Sequence, residues 1–171
     1  MWLRGDGNEL QATEDAAGLT CSASRLRHLE LKDGSEVSSL MNGRRVVLAD
    51  DLTQVVNAAA KLLHGSFEIV GVASDGTSAL EAIVALDPDL AVLDISMPGM
   101  SGIEVARELR NRGARAKIVF LTVHEDTDIL ATCIAAGGLG YVVKVLMETD
   151  LIPAMNEALQ GREFVSRFPM Q

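Results

Sequence analysis

From Val46 onward, short apolar runs and longer amphipathic stretches alternate five times along the chain. Val46-Val47-Leu48-Ala49 is an apolar run ending in Asp50-Asp51, the form of a buried strand bounded by turn signals. Thr53 onward reads as a helix carrying Val55, Val56, Ala59, Leu62 and Leu63 on one face, and His64-Gly65 stops it. Glu68 to Ala73 reads as a second strand. Ser74-Asp75-Gly76 then turns the chain into a helix with Leu80, Ile83, Val84 and Leu86, which ends before Asp87-Pro88 because a proline pushes its predecessor out of helical backbone. The third strand centres on Ala91 to Leu93 and ends abruptly in Asp94, with the loop Met97-Pro98-Gly99 beyond it. Ser101 and Glu104 form a capping box that starts a third helix, with Ile103, Ala106 and Leu109 inward and Gly113 closing it. Lys117 to Thr122 is a fourth strand, and a fourth helix runs from about Thr127 to Ala136, stopping at Gly137-Gly138. Tyr141-Val142-Val143 is a fifth strand ending in Lys144. A fifth helix is expected from about Leu151 to Gln160, with Pro153 in its first turn, where no amide partner is lost, and Gly161 after it.

Strand–helix alternation with short connections gives an α/β domain with a parallel sheet and helices on both faces. Parallel crossovers bring every strand's carboxyl end to one edge, where open α/β sheets bind their ligands. Asp50, Asp51, Asp94, Thr122 and Lys144 each lie at or just past such an end, so they converge although they are far apart in sequence.

Residues 1–43 mix Gly, Ser, Asp, Glu and Arg with scattered Leu and read as a weakly structured extension, Ala23 to Leu31 being its best helical stretch. Met41 stands just before the first strand and is a second candidate start. The domain is expected over residues 44–161, with 162–171 a C-terminal tail.

Composition narrows the function. A hydrophobic content of 48% supports a real core, and a net charge of −9 argues against direct nucleic-acid binding, which needs a basic face. Cys21 and Cys133 fit no metal spacing and read as free thiols of a reducing cytoplasm. No run approaches the roughly 18 apolar residues of a membrane span, and Met1 to Glu9 lacks the apolar core of a secretory signal.

Three crowded carboxylates repel one another. A divalent cation relieves this, and an all-oxygen ligand set suits Mg²⁺ or Mn²⁺. With Lys144 to neutralise charge and the Thr122 hydroxyl to donate, the set can hold a phosphoryl group, and aspartate can act as a nucleophile toward one. Taken singly, the residues admit plainer readings: Asp50-Asp51 as a turn, Thr122 as a strand residue, Tyr141 as a half-buried aromatic, Lys144 as a surface charge.

Together they have a pattern. Asp50-Asp51, Asp94 with Met97-Pro98-Gly99 and Gly102, Leu121-Thr122, and Gly140-Tyr141-Val142-Val143-Lys144 follow one another as in a known family. Residues 45–160 resemble the receiver domain of two-component response regulators, nearest to receivers of helix-turn-helix output regulators. The resemblance implies a flavodoxin-like doubly wound (βα)5 fold with a five-stranded parallel sheet of order 2-1-3-4-5. It implies Asp94 as phosphoacceptor, Mg²⁺ (or Mn²⁺) held by Asp50, Asp51, Asp94 and the Ser96 backbone carbonyl, and Thr122 and Lys144 on the phosphoryl group. Thr122 and Tyr141 would form the switch, Tyr141 moving into space that Thr122 vacates, with Ser96 and His124 tuning dephosphorylation.

The implied donor is a sensor histidine kinase or phosphotransfer protein. A downstream protein would read the face of the fourth helix, fifth strand and fifth helix, with homodimerisation left open. The sequence departs from the family at Val145, where many receivers have proline, and at Gly137-Gly138-Leu139, where a more usual Gly-Ala would make a tighter turn. Since no helix-turn-helix module follows before Gln171, the expectation is a stand-alone, cytoplasmic receiver that is not itself an enzyme. Its rivals are a phosphorylation-independent interaction module or phosphate sink, and a truncated relative of a DNA-binding regulator. A phosphatase with an aspartate nucleophile fits poorly, because its usual second carboxylate two residues on is replaced by Ser96.

Overall fold

A computed structural model describes residues 43–167. The extension expected over residues 1–43 therefore lies almost wholly outside the described residues, as do the last four of the tail. The elements in chain order are β1 (Arg45–Ala49), α1 (Thr53–Leu63), β2 (Glu68–Ala73), α2 (Gly76–Leu86), β3 (Leu90–Asp94), α3 (Gly102–Asn111), β4 (Lys117–Thr122), α4 (Thr127–Ala135), β5 (Gly138–Val143), α5 (Met147–Leu159) and β6 (Phe164–Val165). The sheet is parallel throughout, in the order β2-β1-β3-β4-β5-β6.

Alternation along the strands builds two cores, one on each face. Val46, Leu48, Leu90, Val92, Val119, Leu121 and Val142 point to one side, where Ala59 and Leu63 of α1 and Leu151, Ala154, Met155 and Ala158 of α5 cover them. Val47, Ala49, Ala91, Leu93, Phe120 and Tyr141 point to the other, under Leu80 and Ile83 of α2, Val105 and Leu109 of α3 and Cys133 of α4. Burial on both faces explains why the central strands read as unbroken apolar runs. The capping box at α3 is present, the Ser101 hydroxyl accepting from the Glu104 N–H while the Glu104 carboxylate accepts from the Ser101 N–H.

Four expectations are corrected. The sheet has six strands rather than five. Phe164–Val165 pairs with Gly140 and Tyr141, so the segment expected as a tail seals the outer edge of β5. A strand of two residues has no periodicity to read, and its partner edge is known only once the chain is folded. Second, α5 begins at Met147, after a 3-10 turn over Lys144–Leu146, not at Leu151. Met147 and Leu151 are buried one turn apart and extend the stripe of Ala154, Met155 and Ala158, while Glu148 and Asp150 complement the helix dipole there. Pro153 consequently lies inside the helix, on its exposed side. Third, β5 begins at Gly138, before the aromatic run. Last, Gly138 packs tightly: a Cβ there would sit 2.5 Å from the Phe120 ring and 3.0 Å from the Cys133 carbonyl oxygen, so the turn is held at Gly138 by close approach rather than slack.

Candidate functional site

The middle of the sheet decides which side chains meet. β1, β3, β4 and β5 are consecutive neighbours, and their last residues are in register, Ala49 with Leu93, Asp94 with Leu121, and Thr122 with Val143. Asp50 and Lys144 each follow one of these ends by one residue. Asp50 and Asp94 are 5% and 4% exposed, and Thr122 is fully buried. Asp51, by contrast, faces solvent at the rim.

Lys144 ties the pocket together. Its Nζ lies 2.7 Å from Asp50 Oδ2 and 2.9 Å from Asp94 Oδ1, with the side chain all but buried. The other carboxylate oxygens are held by backbone: Asp50 Oδ1 accepts from the Leu52 N–H at 2.9 Å, and Asp94 Oδ2 from the Ser96 N–H at 2.9 Å. Each acid thus has one oxygen fixed by its own loop and one turned to the ammonium. Burial raises the Asp50 pKa above the ordinary carboxylate value, and the Asp94 charge adds to this, although Lys144 and the Leu52 N–H pull the other way. Burial alone would lower the Lys144 pKa, but its contacts with Asp50 and Asp94 together prevail and hold it above the ordinary value.

The same residues fit a divalent cation. One carboxylate oxygen from each of Asp50, Asp51 and Asp94 can be chosen so that all three lie within 4.8 Å of one another. Asp50 Oδ2 is buried and its strong polar contact is the Lys144 ammonium, 2.7 Å away. Three carboxylates against one ammonium leave net negative charge in the pocket, and this all-oxygen set suits Mg²⁺.

Beside the carboxylates lies a second network through His124. The His124 N–H donates to Thr122 Oγ1 at 3.0 Å, and its carbonyl accepts from the Tyr141 hydroxyl at 2.9 Å. Its ring Nε2 is 3.3 Å from Ser96 Oγ. The pair expected to tune the site is therefore in contact, and His124 also links Thr122 to Tyr141 through its backbone, a role the sequence gives no sign of. Tyr141 is 1% exposed and already packed inside, where burial first, with nearby Cys133 and the acidic loop at Glu125 and Asp126, pushes its phenol up to about 12. The ring therefore lies inside the fold in this conformation.

Two glycines admit the loop that follows Asp94. A Cβ on Gly102 would lie 2.1 Å from the Asp94 carbonyl oxygen, and one on Gly76 would lie 1.9 Å from the Met100 carbonyl oxygen. Sequence reasoning passed over Ser166 and Asp150, which join β6 and α5 to the end of β5. Ser166 ends the stretch Gly161 to Ser166, which resembles the close of receivers of helix-turn-helix output regulators, but only convergence in space joins it to Asp150.

A six-stranded parallel α/β sheet with an acidic pocket at its carboxyl edge, closed by a lysine from β5, is the architecture of a signalling receiver. Residues 46–156 match the response regulator receiver domain, and the chain belongs to that family. It is 35% identical over 124 residues to the probable transcriptional regulatory protein NarL of Mycobacterium tuberculosis, covering 71% of this chain and 57% of that protein. Transcriptional regulatory protein PdtaR of the same organism is 37% identical over 126 residues, covering 73% and 58%. Among solved structures, the signal receiver domain of the putative response regulator NarL from Mycobacterium tuberculosis matches with a TM-score of 0.68 at 32% identity, over 71% of this chain and 99% of that one. The non-phosphorylated receiver domain of RcsB from Escherichia coli matches at 0.67 and 27%, over 74% and 100%. The chain spans somewhat more than half the length of these curated relatives. Receiver domains are phosphoacceptors of two-component signalling. They bind Mg²⁺ at an acidic pocket, interact with histidine kinases or phosphotransfer proteins, and are in general not enzymes.

Proposed function

We propose that Asp94 is the phosphoacceptor of this receiver, fed from the phosphohistidine of a histidine kinase or phosphotransfer protein. The observation that carries this is the bridging of two buried carboxylates, Asp50 and Asp94, by Lys144, with Asp51 beside them. An oxygen of Asp94 forms a bond to phosphorus as the donor's P–N bond breaks, the electron pair leaving with the imidazole. Asp50, Asp51, Asp94 and the Ser96 carbonyl would hold Mg²⁺, which neutralises charge on the phosphoryl oxygens. Lys144 already lies 2.9 Å from Asp94 and supplies a second cation there. The Ser96 N–H fixes Asp94 Oδ2, which leaves Oδ1 as the attacking oxygen. Thr122 lies next in the sheet and donates its hydroxyl to the new phosphoryl group.

Thr122 and Tyr141 form the switch in this reading. Drawing Thr122 toward the phosphoryl group biases the His124 backbone, on which the Tyr141 hydroxyl rests. Phosphorylation then favours the inward Tyr141 seen here over an outward one, a population shift that alters the face of α4, β5 and α5 for a protein partner. Ser96 and His124, in contact over the approach to Asp94, tune the access of water. The working domain in this reading runs from β1 through β6 and Ser166. The setting in this reading is cytoplasmic; among the described residues no helix is long and apolar enough to cross a membrane.

The test is intact mass after incubation with acetyl phosphate and Mg²⁺. The expected result is a Mg²⁺-dependent gain of one phosphoryl group, absent in Asp94→Asn. A gain that persists in folded Asp94→Asn would overturn the assignment.

A further inference from the structure

Beyond the last helix, on the segment that carries β6, a polar side chain is buried. Ser166 is 1% exposed. Its N–H donates to the Tyr141 carbonyl at 2.9 Å. Its hydroxyl accepts from the Val143 N–H at 3.3 Å and donates to Asp150 Oδ2 at 2.6 Å. The other oxygen of Asp150 accepts from the Thr149 hydroxyl at 2.7 Å. One short residue is thus bonded to the strand that carries Tyr141, to the residue before Lys144, and to the first turns of α5. The chain reaches it under control, because the Arg162 N–H donates to the Glu157 carbonyl at 3.0 Å and the Arg162 guanidinium pairs with the Glu157 carboxylate.

The bonds differ in strength. The one to Asp150 is short and charge-assisted, whereas the one from Val143 is long for an amide donor. The Ser166 hydroxyl is therefore anchored on α5 and held more loosely by Val143, the residue before Lys144, while the Ser166 N–H holds the Tyr141 carbonyl at 2.9 Å.

We propose that Ser166 is a positioning residue for Lys144 and a latch between the Asp94 pocket and the chain from Glu163 onward. The positioning half stands on the geometry alone, and the regulatory half rests on the phosphoacceptor reading above. A shift of Lys144 or Tyr141 moves the Val143 N–H and the Tyr141 carbonyl, the two backbone groups that hold Ser166 on the β5 side. The coupling is reciprocal, so freeing residues 163–167 changes how Lys144 is presented to Asp94.

Hydrogen exchange read by mass spectrometry on the full chain tests this, following the peptide that carries Phe164–Arg167, with intact mass recorded on the same samples. Lys144→Met is expected to speed exchange in that peptide roughly five- to tenfold beyond any chain-wide acceleration read from peptides of β1 and β2, the effect of losing about one hydrogen bond's worth of local protection. Lys144→Arg serves if the first variant does not fold. Ser166→Ala is expected to change the rate of phosphoryl gain from acetyl phosphate several-fold, and Ser166→Thr, which keeps the hydroxyl, to restore it. Unchanged exchange at 164–167 in a folded Lys144 variant, or acceleration in step with the whole chain, would overturn the positioning role. A phosphoryl gain that leaves this peptide's exchange unchanged would overturn the latch. If no sample gains a phosphoryl group, the phosphoacceptor reading and the latch that rests on it fall together, and the Lys144 variants alone decide the positioning role.

Discussion

Tyr141 shows how far a single side chain's setting departs from its identity. It is the chain's one tyrosine, buried among Phe120, Cys133 and Val165 with its hydroxyl on the His124 carbonyl. Its phenol ionises at about 12 in the fold against 10.0 for an ordinary tyrosine. A pKa raised on folding means that the folded state resists losing the proton. That stability is fully present below pH 10 and is lost as pH rises toward 12, amounting to roughly 2–3 kcal/mol at most. Ultraviolet titration of tyrosinate should show a midpoint well above 10 in native protein and near 10 in denaturant. A native midpoint at 10 would mean that the ring faces solvent and that the inward switch position is wrong. Tyr141→Phe keeps the ring and removes the titration, so the steepest loss of stability above pH 10 should go with it.

At the scale of elements, each site residue is placed by the end of a strand and by the loop that leaves it. The β3–α3 connection is the tightest of these. Gly102 brings the start of α3 against the Asp94 carbonyl, closer than any side chain would allow. Gly102→Ala should therefore cost about 1–3 kcal/mol through forced displacement and slow phosphoryl gain, because Asp94 itself must shift. Urea unfolding and the rate of mass gain from acetyl phosphate check the two halves separately. Loss of stability with an unchanged rate would mean that α3 moves and the strand does not. Most elements were legible because their apolar periodicity and caps agree, as in α3 with its Ser101–Glu104 box. The first turn of α5 was not, since Leu146 offers no side-chain cap and Val145-Leu146-Met147 has no helical period of its own.

For the whole molecule, the pocket concentrates buried charge that the fold must hold. Lys144→Met leaves Asp50 and Asp94 facing each other without a cation. At neutral pH the loss should be about 3–5 kcal/mol and markedly smaller when Mg²⁺ is present, which urea midpoints with and without Mg²⁺ would show. Equal losses in both conditions would argue that the carboxylates do not share a cation site. The sign with pH follows from Asp50, whose pKa is already raised in the fold. Such an acid lowers stability as pH rises from the ordinary carboxylate value through the raised one, so the variant should recover stability on acidification through that range. Mg²⁺ binding should weaken over the same interval, because protons compete for Asp50.

The sequence by itself determined the alternation of strands and helices, and with it the convergence of Asp50, Asp51, Asp94, Thr122 and Lys144 at one sheet edge. These follow from local patterns, apolar runs, caps and breakers, together with the handedness of parallel crossovers, and none needs a distant residue to be known. Tertiary structure alone decided that Lys144 bridges Asp50 and Asp94, that Tyr141 lies inward on the His124 carbonyl, and that Phe164–Val165 forms a sixth strand with Ser166 bonded to Asp150 beside it. Each of these is a choice between positions of similar local energy, and only packing and hydrogen bonds from residues far away in the chain settle it.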